Sequence, residues 1–126
     1  MSDPAPARYP GQAPIDAYGN GGFRFAGMSH RGSILCLPAA IEAWDVADIG
    51  AISVESLAPV LAERGSIEFL LVGTGRGPAR VPKTVSDALR EAGIGLDAMD
   101  TGAACRTWNV LLAERRAVAA ALIAVD

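Results

Sequence analysis

Four segments of strand length, with a helical pattern in each of the three gaps between them, leave this chain few ways to fold. The run Ile67–Val72, "IEFLLV", is nearly continuous apolar, the pattern of a strand covered on both faces by other layers. "AIEAWDVA" around Trp44, "IGLDAM" and the closing "AVAAALIAV" read as the other three strands. In the first gap Ser53 can cap a helix whose stripe is Val54, Leu57, Ala58 and Leu61, ended by Gly65. In the next gap the stripe is Val81, Val85, Ala88, Leu89 and Ala92. Pro82 suits its first turn, Thr84 and Asp87 have capping-box spacing, and Gly93 stops it. In the last gap, Ala104, Cys105, Trp108, Leu111 and Leu112 form one apolar face, with Asp100 or Thr101 as N-cap.

Ahead of this alternation lies a β unit. In "IDAYGNGGFRFAGMSHRGSILCLP", Phe23 and Phe25 flank Arg24, "SILCL" is a compact apolar run, and Gly and Asn supply turns. An antiparallel hairpin or meander is expected there, with His30 as a solvated residue of the connection. The whole predicts an α/β, three-layer single domain over residues 15–126. Its central sheet is mixed and mostly parallel, flanked by helices, with an N-terminal antiparallel β unit. Prolines 4, 6, 10 and 14 mark residues 1–14 as a disordered lead-in. That lead-in lacks the apolar core of a signal peptide, and no apolar run reaches membrane-spanning length. A soluble cytoplasmic protein of bacterial type, with no direct membrane insertion, is the expectation.

Charge and ligand chemistry narrow the function. With 14 acidic and 11 basic residues the net charge is −3, which argues against nucleic acid as partner. One histidine and two widely separated cysteines, Cys36 and Cys105, offer no metal-ligand spacing, so neither metal nor cofactor is expected. The loop "GTGRGPAR" is not a P-loop, because it lacks the spaced Gly-Lys-Ser/Thr. Nor is it a dinucleotide fingerprint, because Pro78 stands where the last glycine belongs.

"MDTGAAC" contains Asp100-Thr101-Gly102, the triplet of aspartic proteases. Those folds are almost all β and need two facing aspartates. Only 24 residues follow Gly102, and they read as one helix and one strand. Helix capping explains the triplet better. Cys105 at the start of that helix could be an activated thiol, but its apolar neighbours favour a buried one. Arg106 and Asn109 lie on another face, free to reach the sheet end or a partner, and Arg106 could also pair with Asp100.

The segments "GGFRFAG", "GSILCLP", "LLVGTG", "MDTGAACRTWNVLLAERR" and "VAAALIA" resemble, in order, the family of the mitochondrial complex I assembly factor three. The resemblance covers about Ile15 to Val125 and is most specific over Met99 to Glu114. Trp108 stands where many relatives carry tyrosine. Bacterial and archaeal members form a domain of unknown function, and a vertebrate relative is linked to adipogenesis. The resemblance implies a three-layer α/β fold and no catalytic residues. It also implies action through a protein partner. Two functions follow. The first is a non-enzymatic interaction or assembly factor. The alternative is a binder of a small anion, phosphate or carboxylate, or an unrecognised enzyme. Its site at the strand C-terminal ends would use Thr74, Gly75, Arg76, Arg80, Asp100 and Arg106.

Overall fold

The computed structural model describes residues 7–126. Nine strands and three α-helices follow in the order β1 (Arg8–Pro10), β2 (Ala17–Gly19), β3 (Gly22–Phe25), β4 (Met28–Arg31), β5 (Ser33–Cys36), β6 (Ala40–Trp44), α1 (Ala58–Ala62), β7 (Phe69–Gly73), α2 (Lys83–Glu91), β8 (Gly95–Met99), α3 (Thr101–Ala113) and β9 (Val118–Leu122). A six-stranded sheet has the order β1-β6-β5-β9-β7-β8, and a separate three-stranded sheet is the antiparallel meander β2-β3-β4.

The central sheet is mixed, as expected, but its parallel share is smaller than "mostly". Only β7–β8 and β7–β9 pair in parallel, while β1–β6, β5–β6 and β5–β9 are antiparallel. The four strands of the β-α-β alternation do run in one direction. The compact "SILC" strand, β5, is wedged between two of them, β6 and β9, and runs against both. Apolar patterning reports burial and not strand direction, so this insertion leaves no mark in the sequence.

Alternate residues of the sheet face two cores, giving the three layers. Leu35, Leu70, Val72, Ala119 and Ala121 pack with Leu57 and Val60 around α1 and with Val85 and Leu89 of α2. Ile34, Cys36, Leu71, Ala120 and Leu122 pack with Ala104, Cys105 and Trp108 of α3 and with Phe23 and Phe25 of the meander. Strand β9 is buried along its whole length. Its three central alanines let helical layers approach from both sides.

Local signals held unevenly. Ser53 does cap the first helical turns: its hydroxyl accepts from the Ser56 amide at 3.1 Å, and Ser56 Oγ accepts from the Ser53 amide at 2.9 Å. The Thr84/Asp87 capping box does not form. The helix starts at Lys83 with Pro82 as its uncapped N-cap, and Asp87 takes the Lys83 ammonium at 2.7 Å instead. Residues 8–10, expected within a disordered lead-in, pair with β6; residues 1–6 of that lead-in lie outside the described residues. Pro10 is tolerated because β1 is an edge strand. His30 is not a solvated turn residue either. It lies half-buried in β4, its Nδ1 2.9 Å from the Tyr9 hydroxyl, and burial holds its pKa below the usual histidine value.

Candidate functional site

The parallel half of the sheet brings the ends of β7 and β8 side by side, Gly73 opposite Met99. The glycine loop and the Asp-Thr-Gly triplet therefore meet, and they are laced together. The Thr74 amide donates to the Met99 carbonyl at 2.8 Å, and the Thr101 amide donates to the Gly75 carbonyl at 2.8 Å. Thr74 Oγ1 donates toward the carbonyls of Gly77, at 2.7 Å, and Met99, at 3.1 Å.

Thr101 is the centre of this lacing. Its side chain is fully buried. Its hydroxyl donates to the Ile123 carbonyl at 2.7 Å and accepts from the Gly75 amide at 3.0 Å. One hydroxyl thus ties the loops after β7 and β8 to the end of β9. The sequence leaves Asp100 and Thr101 as equal candidates for the cap, and the structure separates them. Asp100 Oδ1 accepts from the Ala103 amide at 2.8 Å and caps α3, while Thr101 points inward. Gly102 has a different reason to be glycine: a Cβ there would collide with the Tyr18 hydroxyl. The triplet is a strand-to-helix junction, and each of its residues has a structural duty.

The six candidate ligand residues do not all line one cleft. Thr74, Gly75 and Arg76 line a cleft of about 430 Å³ together with Asp48, Ile123 and Asp126. Arg80, Asp100 and Arg106 are not among its walls. One guanidinium against two carboxylates is a poor electrostatic field for an anion. Arg80 is exposed in the same loop. Arg106 does not pair with Asp100 among the described residues. Its Nη1 lies 3.5 Å from the Tyr18 hydroxyl.

Cys105 is buried, and burial pushes its thiol up to about 12, with Asp100 adding to the shift and Arg106 opposing it. Cys36 is fully buried and is raised further, by burial first and then by Cys105. Neither is an activated nucleophile. No group of three or more potential metal ligands is placed together, and no helix is long and apolar enough to cross a membrane, among the described residues.

One residue that the sequence offered to the sheet end or a partner is spent inside the molecule. Asn109 reads the backbone of Ile15 in both directions, accepting from its amide at 2.7 Å and donating to its carbonyl at 2.9 Å. Beside it, Trp108 Nε1 donates to the Ala13 carbonyl at 3.0 Å. The "WN" dipeptide fastens the N-terminal segment across α3. An Asn one residue after an apolar-face Trp is the available signal, but nothing in the sequence marks Ile15 as its partner.

Known proteins are similar to this chain in sequence and fold. Residues 15–123 match the family model described as "Protein of unknown function (DUF498/DUF598)". The chain is 39 % identical to an uncharacterized protein of Rhodobacter capsulatus, covering 91 % of this chain and 87 % of that one. It is also 39 % identical to NADH dehydrogenase [ubiquinone] 1 alpha subcomplex assembly factor 3 of Danio rerio, over 86 % of this chain but only 63 % of the relative's length. Among solved structures, one described as an outer membrane protein from Bartonella henselae superposes with TM-score 0.91 at 55 % identity, covering 94 % of this chain and 99 % of that one. Since the family model spans residues 15–123 and the Rhodobacter relative aligns with 91 % of this chain, the chain belongs to the DUF498/DUF598 family, with the complex I assembly factor 3 proteins among its relatives.

Proposed function

We propose that this chain is a non-enzymatic interaction factor that assists assembly of a respiratory NADH dehydrogenase. The observation that carries the reading is the state of the strand-end junction. There Thr74, Asp100 and Thr101 all have internal hydrogen-bond partners, and Asn109 is likewise engaged with Ile15. Groups so engaged hold the fold together, whereas a protein partner needs only outer surface. The relatives named for complex I assembly support the same reading, and their extra length leaves room for features this chain does not contain. On this reading residues 8–126 act as one folded unit in the cytoplasm. The name of the Bartonella relative points elsewhere, so fractionation of native cells is the direct check on location.

The test is deletion in the native cell followed by native gel analysis of NADH dehydrogenase, with a tagged copy for pull-down. The expected result is accumulation of subcomplexes and recovery of at least one dehydrogenase subunit with the tag. Normal assembly together with recovery of the protein alone overturns the proposal.

A further inference from the structure

The meander presents one face to the core and one to solvent. Phe23 and Phe25 face inward. The residues between them face outward, and register arranges these in two cross-strand rows. One is Ala17, Arg24 and Ser29; the other is Gly19, Gly22 and Arg31. Arg24 and Arg31 are therefore diagonal neighbours on one face, their Cβ atoms roughly 7–8 Å apart by sheet geometry, and both are exposed. In between and beside them the side chains are absent or small, so the face is a shallow cleft of about 420 Å³ whose walls include Gly19, Asn20, Gly22, Arg24, Ser29 and Arg31. That is within the size range of small-molecule sites.

Three observations characterise this face. Among the described residues neither Arg24 nor Arg31 has a carboxylate within 4.0 Å; Arg64, Arg76, Arg80, Arg106 and Arg115 also have none, but Arg24 and Arg31 stand as diagonal neighbours on one sheet face. Asp16 lines a separate hollow on the other flank of Arg24, with Gly27 and Met28, and forms no salt bridge with it. Two like charges on diagonal exposed positions repel weakly through solvent. In addition, the Arg24 guanidinium is oriented by a hydrogen bond. Arg24 Nε donates to Ser29 Oγ at 3.1 Å, which leaves the Ser29 proton free to donate. Arg31 lies back toward the hairpin turn, its Nη1 3.9 Å from where a Cβ on Gly21 would stand. Finally, the floor is kept bare. A Cβ on Gly22 would collide with the His30 carbonyl, and Gly19 opposite it also lacks a side chain.

We propose that the outer face of the β2-β3-β4 meander is a binding site for a single phosphate-class oxyanion, held between the Arg24 and Arg31 guanidinium groups over the glycine floor. A carboxylate is satisfied by one guanidinium fork, whereas two forks on different sides and a hydroxyl suit three acceptor oxygens and a charge of about −2. Two cations are the footprint of one phosphate and not of a nucleic-acid tract. The phosphate belongs either to a soluble monoester or to a lipid headgroup, and the experiment separates these.

The test is a titration of the full, isotope-labelled chain with inorganic phosphate at constant ionic strength, followed by amide chemical shifts. Saturable shifts at Gly19, Gly22, Ser29 and Arg31 are expected. Arg24→Gln and Arg31→Gln should each weaken binding about tenfold or more, and Arg90→Gln on α2 should leave it unchanged. Unperturbed shifts elsewhere in the spectra show that the variants are folded. In parallel, phosphatidylcholine vesicles with and without phosphatidic acid are sedimented with the protein. Saturable phosphate binding without vesicle binding assigns a soluble monoester. Phosphatidic-acid-dependent sedimentation lost in Arg31→Gln assigns a headgroup. Shifts that grow linearly without saturation, or that persist in the double Arg→Gln variant, with no vesicle binding, overturn the proposal.

Discussion

Two polar regions of this molecule invite a ligand, and they are built in opposite ways. At the ends of β7, β8 and β9 the hydroxyls of Thr74 and Thr101 and the carboxylate of Asp100 all have partners within the fold. On the outer face of the meander, Arg24 and Arg31 have no carboxylate partner among the described residues and stand over bare backbone. The strand-end junction has the sequence of a motif and serves the fold; the meander face has the sequence of a string of turns and is left open. A buried polar group must be paired internally or cost free energy, so the most motif-like polar residues are often those the fold consumes. An exposed charge has no such obligation, and leaving it unpaired is where a surface retains capacity to bind.

The contrast can be broken or sharpened by stability measurements on variants of each region. The largest effect is expected at Thr101. Thr101→Val keeps the shape but leaves the Ile123 carbonyl and the Gly75 amide without their partner. The expected loss is about 1–3 kcal/mol in denaturant unfolding. An unchanged midpoint would mean the junction is not held as described. Next is Asp100→Ala, which removes the α3 cap and should cost about 1 kcal/mol, while Asp100→Asn should retain most of the stability. If Asn is as damaging as Ala, the carboxylate does more than cap. Smallest is Arg31→Gln, which should move stability by no more than about 0.5 kcal/mol in either direction, because no internal partner depends on it. A loss of the size expected for Thr101→Val would place Arg31 among the structural residues and erase the contrast.

Much of the fold is legible in the sequence because burial is written in the side chains. The continuous run at Ile67–Val72 announces a strand covered on both faces, and Leu70 and Leu71 do enter opposite cores. The Ser53 cap and the Gly93 stop are local signals, decided within one turn. What cannot be read is relational. Nothing at Ser33–Cys36 tells that the strand will be inserted antiparallel between β6 and β9. Tyr9 sits in a proline-rich stretch, and only the tertiary fold sets its hydroxyl against His30. The same holds for the candidate site. Its six residues share polarity near strand ends, but whether a hydroxyl faces solvent or a carbonyl 22 residues away is decided by the sheet. Arg24 and Arg31 carry no such signal, because their association depends on register, and register is a property of two strands at once.

The place of β9 has a consequence for how the molecule is made. It follows the other eight described strands in sequence, yet it lies inside the six-stranded sheet between β5 and β7. Until its residues have left the ribosome, β5 and β7 have no common neighbour, and the sheet exists only as two separate edges. Each edge offers unpaired backbone groups to any passing strand. Synthesis from the N-terminus therefore leaves β5 and β7 exposed until β9 emerges, and its insertion closes both edges together.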